Sequence, residues 1–249
     1  MGYLDSLRDT PLLVKDIIMR YGRIIKAKLI RRDNRFIATV DIDGKETRVH
    51  VKNTGRCREL LVPGCEVVLS VPSNSDSRKT QYDLVAVYKE TKDGRILINM
   101  DSQAPNEAVY EWITRSGLFS ADAQVRREVT HGDSRFDVFV SDGEREAFIE
   151  VKGVTLENGG VAAFPDAPTE RGAKHINGLV RAVEEGFEAY IIFVIQMKRV
   201  NCFIPNEITD PHFADALRRA TLSGVKILAY NCSVYEDGFT IDSPVEIKL

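Results

Sequence analysis

The first third of the chain is built from short runs in which apolar and polar residues alternate. Five runs lie at residues 22–30, 35–42, 46–52, 64–71 and 82–88. Because side chains on a β-strand point alternately to its two faces, each run predicts a strand with one buried face. Asp43-Gly44 is a typical hairpin turn between the second and third runs, and NTGRCRELLVPG (53–64) predicts a turn and a short helical piece before the fourth. This order predicts a small Greek-key β-barrel of the OB type, with another small β-barrel as the alternative.

Beyond residue 88, segments with helical periodicity alternate with segments with strand periodicity. Apolar residues at Ala108, Val109, Trp112 and Ile113 have the spacing of an amphipathic helix. The predicted elements are a helix at 105–116, strands at 124–130, 135–140 and 146–152, a helix at 169–186, a strand at 188–196, a helix at 211–223 and a strand at 225–230. This order predicts a mixed α/β domain. The chain is therefore expected to divide into an OB-like barrel domain over residues 1–88 and an α/β domain over 89–249.

The composition is typical of a soluble globular protein, with 43% hydrophobic and 29% charged residues among 249. No stretch of about 20 apolar residues is present, so no membrane-spanning segment is predicted. The opening MGYLDSLRDT lacks the apolar segment of a secretory signal. The four cysteines are scattered and form no C-x-x-C pair. These features predict a cytoplasmic protein with reduced thiols.

The net charge of −3 is unevenly distributed along the chain. Residues 1–88 carry 16 Lys and Arg against 11 Asp and Glu, whereas residues 89–249 carry 18 against 26. A basic front half and an acidic back half fit a module that grips a polyanion beside one that carries carboxylates. Chance scatter of solvated charges is the alternative.

The chain lacks the short motifs of several common enzyme classes. It has no G-x-x-x-x-G-K-[ST], no G-x-G-x-x-G after a strand, no G-x-S-x-G and no H-E-x-x-H. The remaining candidate catalytic residues are Asp137 on one predicted strand and Glu150-Val151-Lys152 on the next. Alternation places Glu150 and Lys152 on the same face, and facing side chains of antiparallel neighbours stand about 5 Å apart. Asp137 and Glu150 are therefore positioned to share a divalent cation.

A bound cation would explain why charges of both signs share one strand face. Mg²⁺ takes carboxylate oxygens, and it stabilises negative charge on a phosphoryl group. Lys152 could orient a water molecule or steady the same charge. We therefore predict Asp137 and Glu150 as metal ligands, and these two residues with Lys152 as the catalytic set. Mg²⁺ is the expected cofactor, with Mn²⁺ as a substitute, and a plain cross-strand salt bridge is the alternative.

The predicted order of elements is similar to a known nuclease architecture. The order α-β-β-β-α-β, with Asp on the second strand and Glu-x-Lys on the third, resembles the PD-(D/E)xK restriction-endonuclease-like core. In that superfamily an acid on the preceding helix often completes the metal site. Glu111 is the first choice for this third ligand, with Glu107 second and Glu128 as a further alternative.

Several segments closely resemble the sugar fermentation stimulation protein A family, namely NTGRCRELLVPG (53–64), GDSRFDVFV (132–140), FIEVKGVTL (148–156) and FPDAPTERGAKH (164–175). The resemblance implies an OB-like domain fused to a PD-(D/E)xK-like domain, in a cytoplasmic protein that binds DNA without strong sequence preference. The family name implies a regulatory role in the use of sugars, particularly maltose. The motif residues Asp137, Glu150 and Lys152 all match, and Phe136 stands where the superfamily's name has proline.

Cationic side chains near the start of the long predicted helix are candidates for contacts with phosphate. Arg171, Lys174 and His175 are three and four residues apart, so they share one face of the helix. A helix N-terminus with added cations is a phosphate-binding arrangement. A pairing of Arg171 with Asp166 or Glu170 is the alternative.

The predicted barrel also carries candidate nucleic-acid-binding arginines, at Arg31, Arg32, Arg35, Arg56 and Arg58. Phe36 is a candidate ring for base stacking, although a barrel-core position is the more common role for such a residue. Residues 53–55 (Asn-Thr-Gly) predict the turn that starts the helical piece. The alternative for Arg56 and Arg58 is structural, with the block capping the barrel or contacting the second domain.

Three functions remain open at the level of the sequence. The first is a DNA-binding protein of low sequence specificity with a Mg²⁺-dependent nuclease or phosphodiesterase site. The second is a non-catalytic DNA-binding regulator on a nuclease scaffold. The third, suggested by the family name, is a sensor of a small sugar or sugar phosphate, since OB barrels also bind oligosaccharides. The expected partner in the first two is nucleic acid, with DNA as the first choice.

Overall fold

Residues 19–53 and 55–249 are described by the computed structural model, and the alternating runs form strands as predicted. After β1 (Met19–Arg20), the first sheet contains β2 (Ile24–Arg32), β3 (Ile37–Ile42), β4 (Lys45–Val51), β5 (Glu66–Ser70), β6 (Asp83–Thr91) and β7 (Gly94–Asn99). Its strand order is β4-β3-β2-β5-β6-β7, and a parallel pairing of β4 with β6 closes the first five strands into a barrel. Every second side chain points inward, so that Val40, Val49, Val67, Leu69 and Leu84 fill the interior.

The barrel sheet extends further along the chain than the alternating runs indicated. The predicted division after residue 88 falls inside β6, and β7 adds a strand that pairs with β6 from Gly94 to Asn99. The helical piece predicted within 53–64 is wrong. The described part forms a single turn, in which the N–H of Leu61 donates to the carbonyl of Cys57 at 2.9 Å. Cys57 adopts a positive φ of 43° and Pro63 lacks an N–H, so the helix cannot continue on either side. Thr54, in the predicted turn, lies outside the described residues.

The second part is a mixed α/β domain whose elements follow the predicted order with five further strands added. They are α1 (Ala104–Trp112), β8 (Gln124–His131), β9 (Ser134–Asp142), β10 (Arg145–Val154), β11 (Glu157–Asn158), β12 (Val161–Phe164), α2 (Glu170–Glu184), β13 (Glu188–Ile195), β14 (Cys202–Pro205), α3 (Pro211–Leu222), β15 (Lys226–Tyr235), β16 (Gly238–Pro244) and β17 (Glu246–Ile247). A seven-stranded sheet has the order β1-β16-β15-β13-β10-β9-β8, and a four-stranded sheet has the order β11-β12-β14-β17. In the larger sheet β10, β13 and β15 are parallel neighbours.

Helices cover both faces of the seven-stranded sheet. Ile149 and Val151 of β10 pack with α1 on one face. Phe148 of the same strand lies in the cluster that contains α2 and α3 on the other face. The hydroxyl of Thr169 caps α2 by accepting the N–H of Gly172 at 3.0 Å, which fixes where that helix begins. Alternation along β10 therefore turns Glu150 and Lys152 toward the start of α2. Among the helices of the described residues, none is long and apolar enough to cross a membrane.

Glu188 joins the starts of three neighbouring strands and makes acid stability testable. It accepts hydrogen bonds from Arg145 Nε at 2.7 Å and Lys226 Nζ at 2.8 Å. The bond from Arg145, with that from Lys226, outweighs the effect of burial and lowers the pKa of Glu188 from 4.5 to about 2. Since the folded pKa lies below the unfolded one, this stabilisation is present above about pH 4.5 and is lost as the pH falls toward 2.

We expect Glu188→Gln to lower the free energy of unfolding at neutral pH by about 1 kcal/mol. As the pH falls from about 4.5 to 2 the difference from wild type should shrink, because Glu188 of the unfolded wild-type chain takes up a proton that the folded chain gains only near pH 2. Thermal unfolding across this range measures both effects. Glu246→Gln is the matched control, since its carboxylate is 64% exposed and pairs only loosely with Lys248 at 3.5 Å. A deficit in Glu188→Gln that persists unchanged to pH 2 would contradict the assignment.

Candidate active site

Asp137 and Glu150 face each other at the end of the β9–β10 ladder. Val138 pairs with Ile149 across the two strands, and one further step of this register brings Asp137 opposite Glu150. Two donors fix the Asp137 carboxylate: the N–H of Val151 at 2.8 Å from Oδ2 and the side-chain amide of Asn106 at 2.8 Å from Oδ1. The facing carboxylates expected from alternation are therefore present, and α1 contributes a side chain that orients one of them.

The Glu150 carboxylate is 2% exposed and uses its two oxygens differently. Oε1 accepts hydrogen bonds from Lys152 Nζ and from His175 Nδ1. Oε2 is buried and has no hydrogen-bond partner in the part of the chain that the structure describes. Burial alone would raise the pKa of Glu150, but the hydrogen bonds from His175 and Lys152 outweigh it and hold the pKa below its usual value. Glu150 is thus a buried anion with one oxygen left over.

The charge of Glu150 disfavours the ionised form of the Asp137 carboxyl. Burial first, and then the charge of Glu150, raise the pKa of Asp137 above its usual value, although the hydrogen bond from Val151 and the charge of Lys152 act in the opposite direction. The two carboxylates lie on one face of the sheet and repel each other, and a divalent cation bound between them would offset this repulsion.

The face of α2 predicted to bind phosphate lies partly inside this site. His175 is 8% exposed and donates to Glu150, and its Nε2 accepts the Nε–H of Arg171 at 3.4 Å. This pattern fits a neutral imidazole that carries its proton on Nδ1. Lys174 points elsewhere, toward Asp133 at 3.6 Å, with 54% of its side chain exposed. The structure therefore brings Arg171 and His175 to the carboxylates and leaves Lys174 outside.

A cleft of about 680 Å³ opens between the first turns of α1 and α2. Its lining includes Asp137, Arg171, Asn106, Glu107 and Arg127. The Glu107 carboxylate, second choice for the third metal ligand, is held by Arg127, whose Nη2 donates to Oε1 at 2.6 Å. Glu107 thus reaches the cleft as one partner of an ion pair.

The other candidates for a third ligand lie at the margin. Glu111 stands beside Glu107; burial and the Glu107 charge raise the pKa of Glu111. It is not among the described residues that line the cleft. Glu128 lines the rim and pairs with Arg135 at 3.1 Å. Among the residues that the structure describes, no group of three or more His, Cys, Asp or Glu side chains is arranged to hold a metal ion.

The candidate arginines of the barrel divide into two groups. Arg31 pairs with Asp33 at 2.9 Å. Arg32 donates to backbone carbonyls of both neighbouring loops, so its guanidinium organises the backbone. The remaining three are exposed and line one pocket of about 330 Å³, namely Arg35, Arg56 and Arg58. The structure thus gathers the second group on one surface.

Two residues of the site region were not predicted from the sequence. Asn106 orients Asp137, and its signal would have been a polar residue in the first turn of a helix that precedes the acidic strands. Gln196 directly follows β13, where a polar side chain after a wholly apolar run marks the end of a buried strand. Its amide Nε2 donates to the Asn99 carbonyl, Asn99 Oδ1 and the Asp101 carbonyl, at 3.1, 2.8 and 3.1 Å. Gln196 therefore ties the second domain to the segment that leaves the barrel.

Comparisons with known proteins agree with this two-part architecture. A family model described as the SfsA N-terminal OB domain matches residues 30–99, and one described as the Sugar fermentation stimulation protein RE domain matches residues 103–238. A sugar fermentation stimulation protein homolog of Desulfitobacterium hafniense strain Y51 is 51% identical over 93% of this chain and 99% of its own length. A homolog from Ruminiclostridium cellulolyticum is 50% identical over 93% of this chain and 100% of its own.

A solved structure, described as Pyrococcus furiosus SfsA in complex with Ca²⁺, superposes with a TM-score of 0.82 at 26% identity, covering 94% of this chain and 99% of that one. The molecule is thus a two-domain protein with an N-terminal OB domain followed by a mixed α/β domain. The chain belongs to the sugar fermentation stimulation protein family. The resemblance stated from the sequence motifs is confirmed, and so is the OB prediction.

Proposed function

We propose that the protein is a divalent-metal-dependent phosphodiesterase of the PD-(D/E)xK type that acts on nucleic acid, with DNA as the first candidate substrate. The observation that carries the proposal is Glu150 Oε2, a buried carboxylate oxygen without a hydrogen-bond partner among the described residues, opposite Asp137. Buried polar atoms are rarely left without a partner, and such an atom calls for an explanation. A cation between the two carboxylates supplies one.

The residues present fit Mg²⁺ or Mn²⁺ as the cation. Mg²⁺ commonly binds through only one or two protein carboxylates and keeps several waters, so a third acidic ligand is not required. Asp137 and Glu150 would be the two ligands, and Glu107 could approach only by releasing Arg127. The relative from Pyrococcus furiosus was solved in complex with Ca²⁺, which also takes oxygen ligands.

The side chains around the carboxylates suit hydrolysis of a phosphodiester, in which water adds across a P–O bond to leave a phosphate and a hydroxyl. A bound divalent cation would neutralise charge on the phosphoryl oxygens. Lys152 stands beside Glu150, where its ammonium group can orient the attacking water or steady the growing charge. Arg171 lines the cleft with a guanidinium suited to phosphate. His175 and Asn106 hold Glu150 and Asp137 in place.

One observation favours a second candidate, a non-catalytic DNA-binding regulator. Glu107, the only acid of α1 that lines the cleft among the described residues, is neutralised by Arg127. A scaffold that grips nucleic acid without cutting it could keep this ion pair. Such a protein would bind DNA with strong salt dependence and would retain binding after loss of Asp137.

We expect labelled DNA or RNA to be cleaved in Mg²⁺ or Mn²⁺ and to stay intact in EDTA. Lys152→Met should lower the cleavage rate by about a hundredfold or more while leaving metal binding within a fewfold of wild type, because the lysine acts on charge and not as a ligand. Gel-resolved cleavage and calorimetric Mn²⁺ titration measure the two effects. Lys226→Met is the matched control, since Lys226 also pairs with a glutamate of this sheet but at the opposite end of the strands.

Two results would decide against the proposal. Absence of cleavage over a panel of single-stranded, duplex and branched substrates, with binding retained, would favour the non-catalytic regulator. Equal loss of activity in Lys152→Met and Lys226→Met would show that the effect of Lys152 is on folding alone.

A further inference from the structure

Phe36 is a large apolar side chain that the barrel does not bury. It is 53% exposed in the turn between β2 and β3, whereas the sequence favoured a core position. The turn is ordered by Asn34, whose Oδ1 accepts the N–H of Phe36 at 2.8 Å and that of Ile37 at 3.0 Å. A local hydrogen-bonded turn therefore holds the ring out toward solvent.

Arg32 ties this turn to a second loop. Its guanidinium donates to the carbonyls of Asn34 and Arg35 on one side and to those of Asn53 and Arg56 on the other. Because all four carbonyls accept from Arg32, both loops are joined through a single guanidinium group. The side chains of Arg35 and Arg56 are exposed. Arg32 therefore holds the two loops together, and the guanidinium groups of Arg35 and Arg56 remain exposed on the surface.

The pocket on this surface has a strongly positive lining. It measures about 330 Å³, and the described residues that line it are Arg32, Asn34, Arg35, Gly55, Arg56, Cys57, Arg58 and Leu61, with no acidic residue among them. Such a lining is complementary to a polyanion. Phe36 is not among these lining residues, but it directly follows Arg35 in the same exposed turn. An aromatic ring near exposed guanidinium groups is the combination that proteins use to stack bases while they track phosphates.

The arginine pocket adjoins a second cavity between the barrel and the α/β domain. Gly55 lines both this pocket and a second cavity of about 260 Å³, which is also lined by Ser102, Gly153 and Asp166. Ser102 directly precedes Gln103, which lines the cleft, and Gly153 directly follows Lys152. The second cavity thus adjoins the arginine pocket at Gly55 and is bordered by residues next in sequence to Gln103 and Lys152.

We propose that the surface formed by Phe36, Arg35, Arg56 and Arg58 binds an unpaired nucleic-acid strand, which makes single-stranded DNA or RNA the substrate class of the protein. The ring can stack only on a base whose face is free, and a duplex hides those faces between neighbouring pairs. The guanidinium groups neutralise the phosphates on either side of the stacked base. The choice of substrate rests on the proposed function, whereas binding of the strand does not.

Fluorescence anisotropy in EDTA tests the binding step without any catalysis. The probes are a labelled single strand of mixed sequence, about 20 nucleotides long, and its blunt duplex. Phe36→Ala should weaken single-strand binding between about five- and a hundredfold and leave duplex binding unchanged, while Phe36→Tyr should bind like wild type. Arg35→Ala and Arg56→Ala should each reduce the slope of log affinity against log salt by about 0.7. Arg48→Ala, an exposed arginine on the barrel strand β4, is the charge-matched control and should lose less.

Three outcomes would overturn the inference: an unchanged single-strand affinity in Phe36→Ala, an equal loss for single strand and duplex, or displacement of the strand by millimolar inorganic phosphate or a sugar phosphate. The last result would assign the pocket to a small anion. The proposed function fails independently. A protein that binds the single strand through Phe36 but cuts nothing would overturn only the nuclease assignment, and a nuclease indifferent to Phe36 would overturn only this inference.

Discussion

Glu150→Gln is expected to lower nucleic-acid hydrolysis by at least about a thousandfold, since a metal ion contributes several kcal/mol to stabilising a phosphoryl transition state. The substitution keeps the size of the side chain but removes the anion that faces Asp137. An amide can place only one weak oxygen ligand at the site, and its nitrogen cannot bind a cation at all. Calorimetric titration with Mn²⁺ should show the loss of binding directly, apart from any measurement of activity.

Glu157→Gln provides the matched control for this variant. Glu157 is also a buried glutamate paired with a lysine, Lys89, at 2.7 Å, but it lies outside the cleft. We expect it to retain Mn²⁺ binding and cleavage even if its thermal stability falls. Wild-type Mn²⁺ binding by Glu150→Gln, with its fold intact by circular dichroism, would rule out Glu150 as a ligand.

Phe203→Ala is expected to lower the free energy of unfolding by about 3–5 kcal/mol. Phe203 is fully buried on β14 and stacks on Phe193 with ring centroids 4.1 Å apart. Phe164, at the end of β12, packs against Phe193 and against Phe213 of α3. Truncation would leave a cavity beside Phe193 in this aromatic cluster, because rigid neighbours on several elements cannot close around it. Denaturant unfolding monitored by fluorescence and circular dichroism gives the change.

Ile208→Ala is the control for this second variant. Ile208 lies just beyond β14 and is 99% exposed, so its truncation should change the unfolding free energy by less than about 0.5 kcal/mol. The aromatic cluster also lies beneath α2, which carries Arg171 and His175. A Phe203→Ala protein as stable as Ile208→Ala would show that the cluster repacks freely and does not support that helix.

The strands and helices predicted from periodicity are those with long, regular patterns. The five barrel runs, and the elements α1, β8, β9, β10, α2 and β13 in that order, could be derived from alternation and helical spacing, because each buries one well-defined face. The strands that were missed are short or end in residues that conceal the pattern. CFIP (202–205) and VAAF (161–164) have only four residues each and adjoin proline or follow a glycine turn. Only pairing between them, at long range, makes them a sheet.

The strand β7 is a different case, since a local signal was present. Asp93-Gly94 is the same kind of hairpin dipeptide as Asp43-Gly44, and Ile96 and Ile98 alternate after it. This turn and the alternation after it predict one further barrel strand, as found up to Asn99. The predicted boundary at residue 88 lies next to the charged pair Lys89-Glu90, whereas the hydrogen bonding of the barrel sheet continues to Asn99.

Candidate site residues on β9 and β10 could be derived because strand alternation fixes their direction. Helical residues were harder, since spacing shows which side chains share a face but not which neighbour that face meets. Arg171 and His175 do share a face, yet His175 contacts Glu150 and is shielded from solvent. Glu107 and Glu111 also lie one turn apart on α1, and only Glu107 lines the cleft. The position of a helix along the sheet is set by packing between the two, and the local sequence pattern does not encode it.

The hydrogen bonds of Gln196 bear on how the two domains are spaced. Its one amide group binds acceptors at Asn99 and Asp101, and Lys52 of the barrel pairs with Asp101 at 2.8 Å. The segment between the domains is therefore clamped from both sides and cannot act as a free hinge. A nucleic-acid strand that stacks on Phe36 and reaches Asp137 would therefore span a fixed distance. The fixed spacing of the two domains would then set the number of nucleotides between the base stacked on Phe36 and the phosphate that reaches the carboxylates.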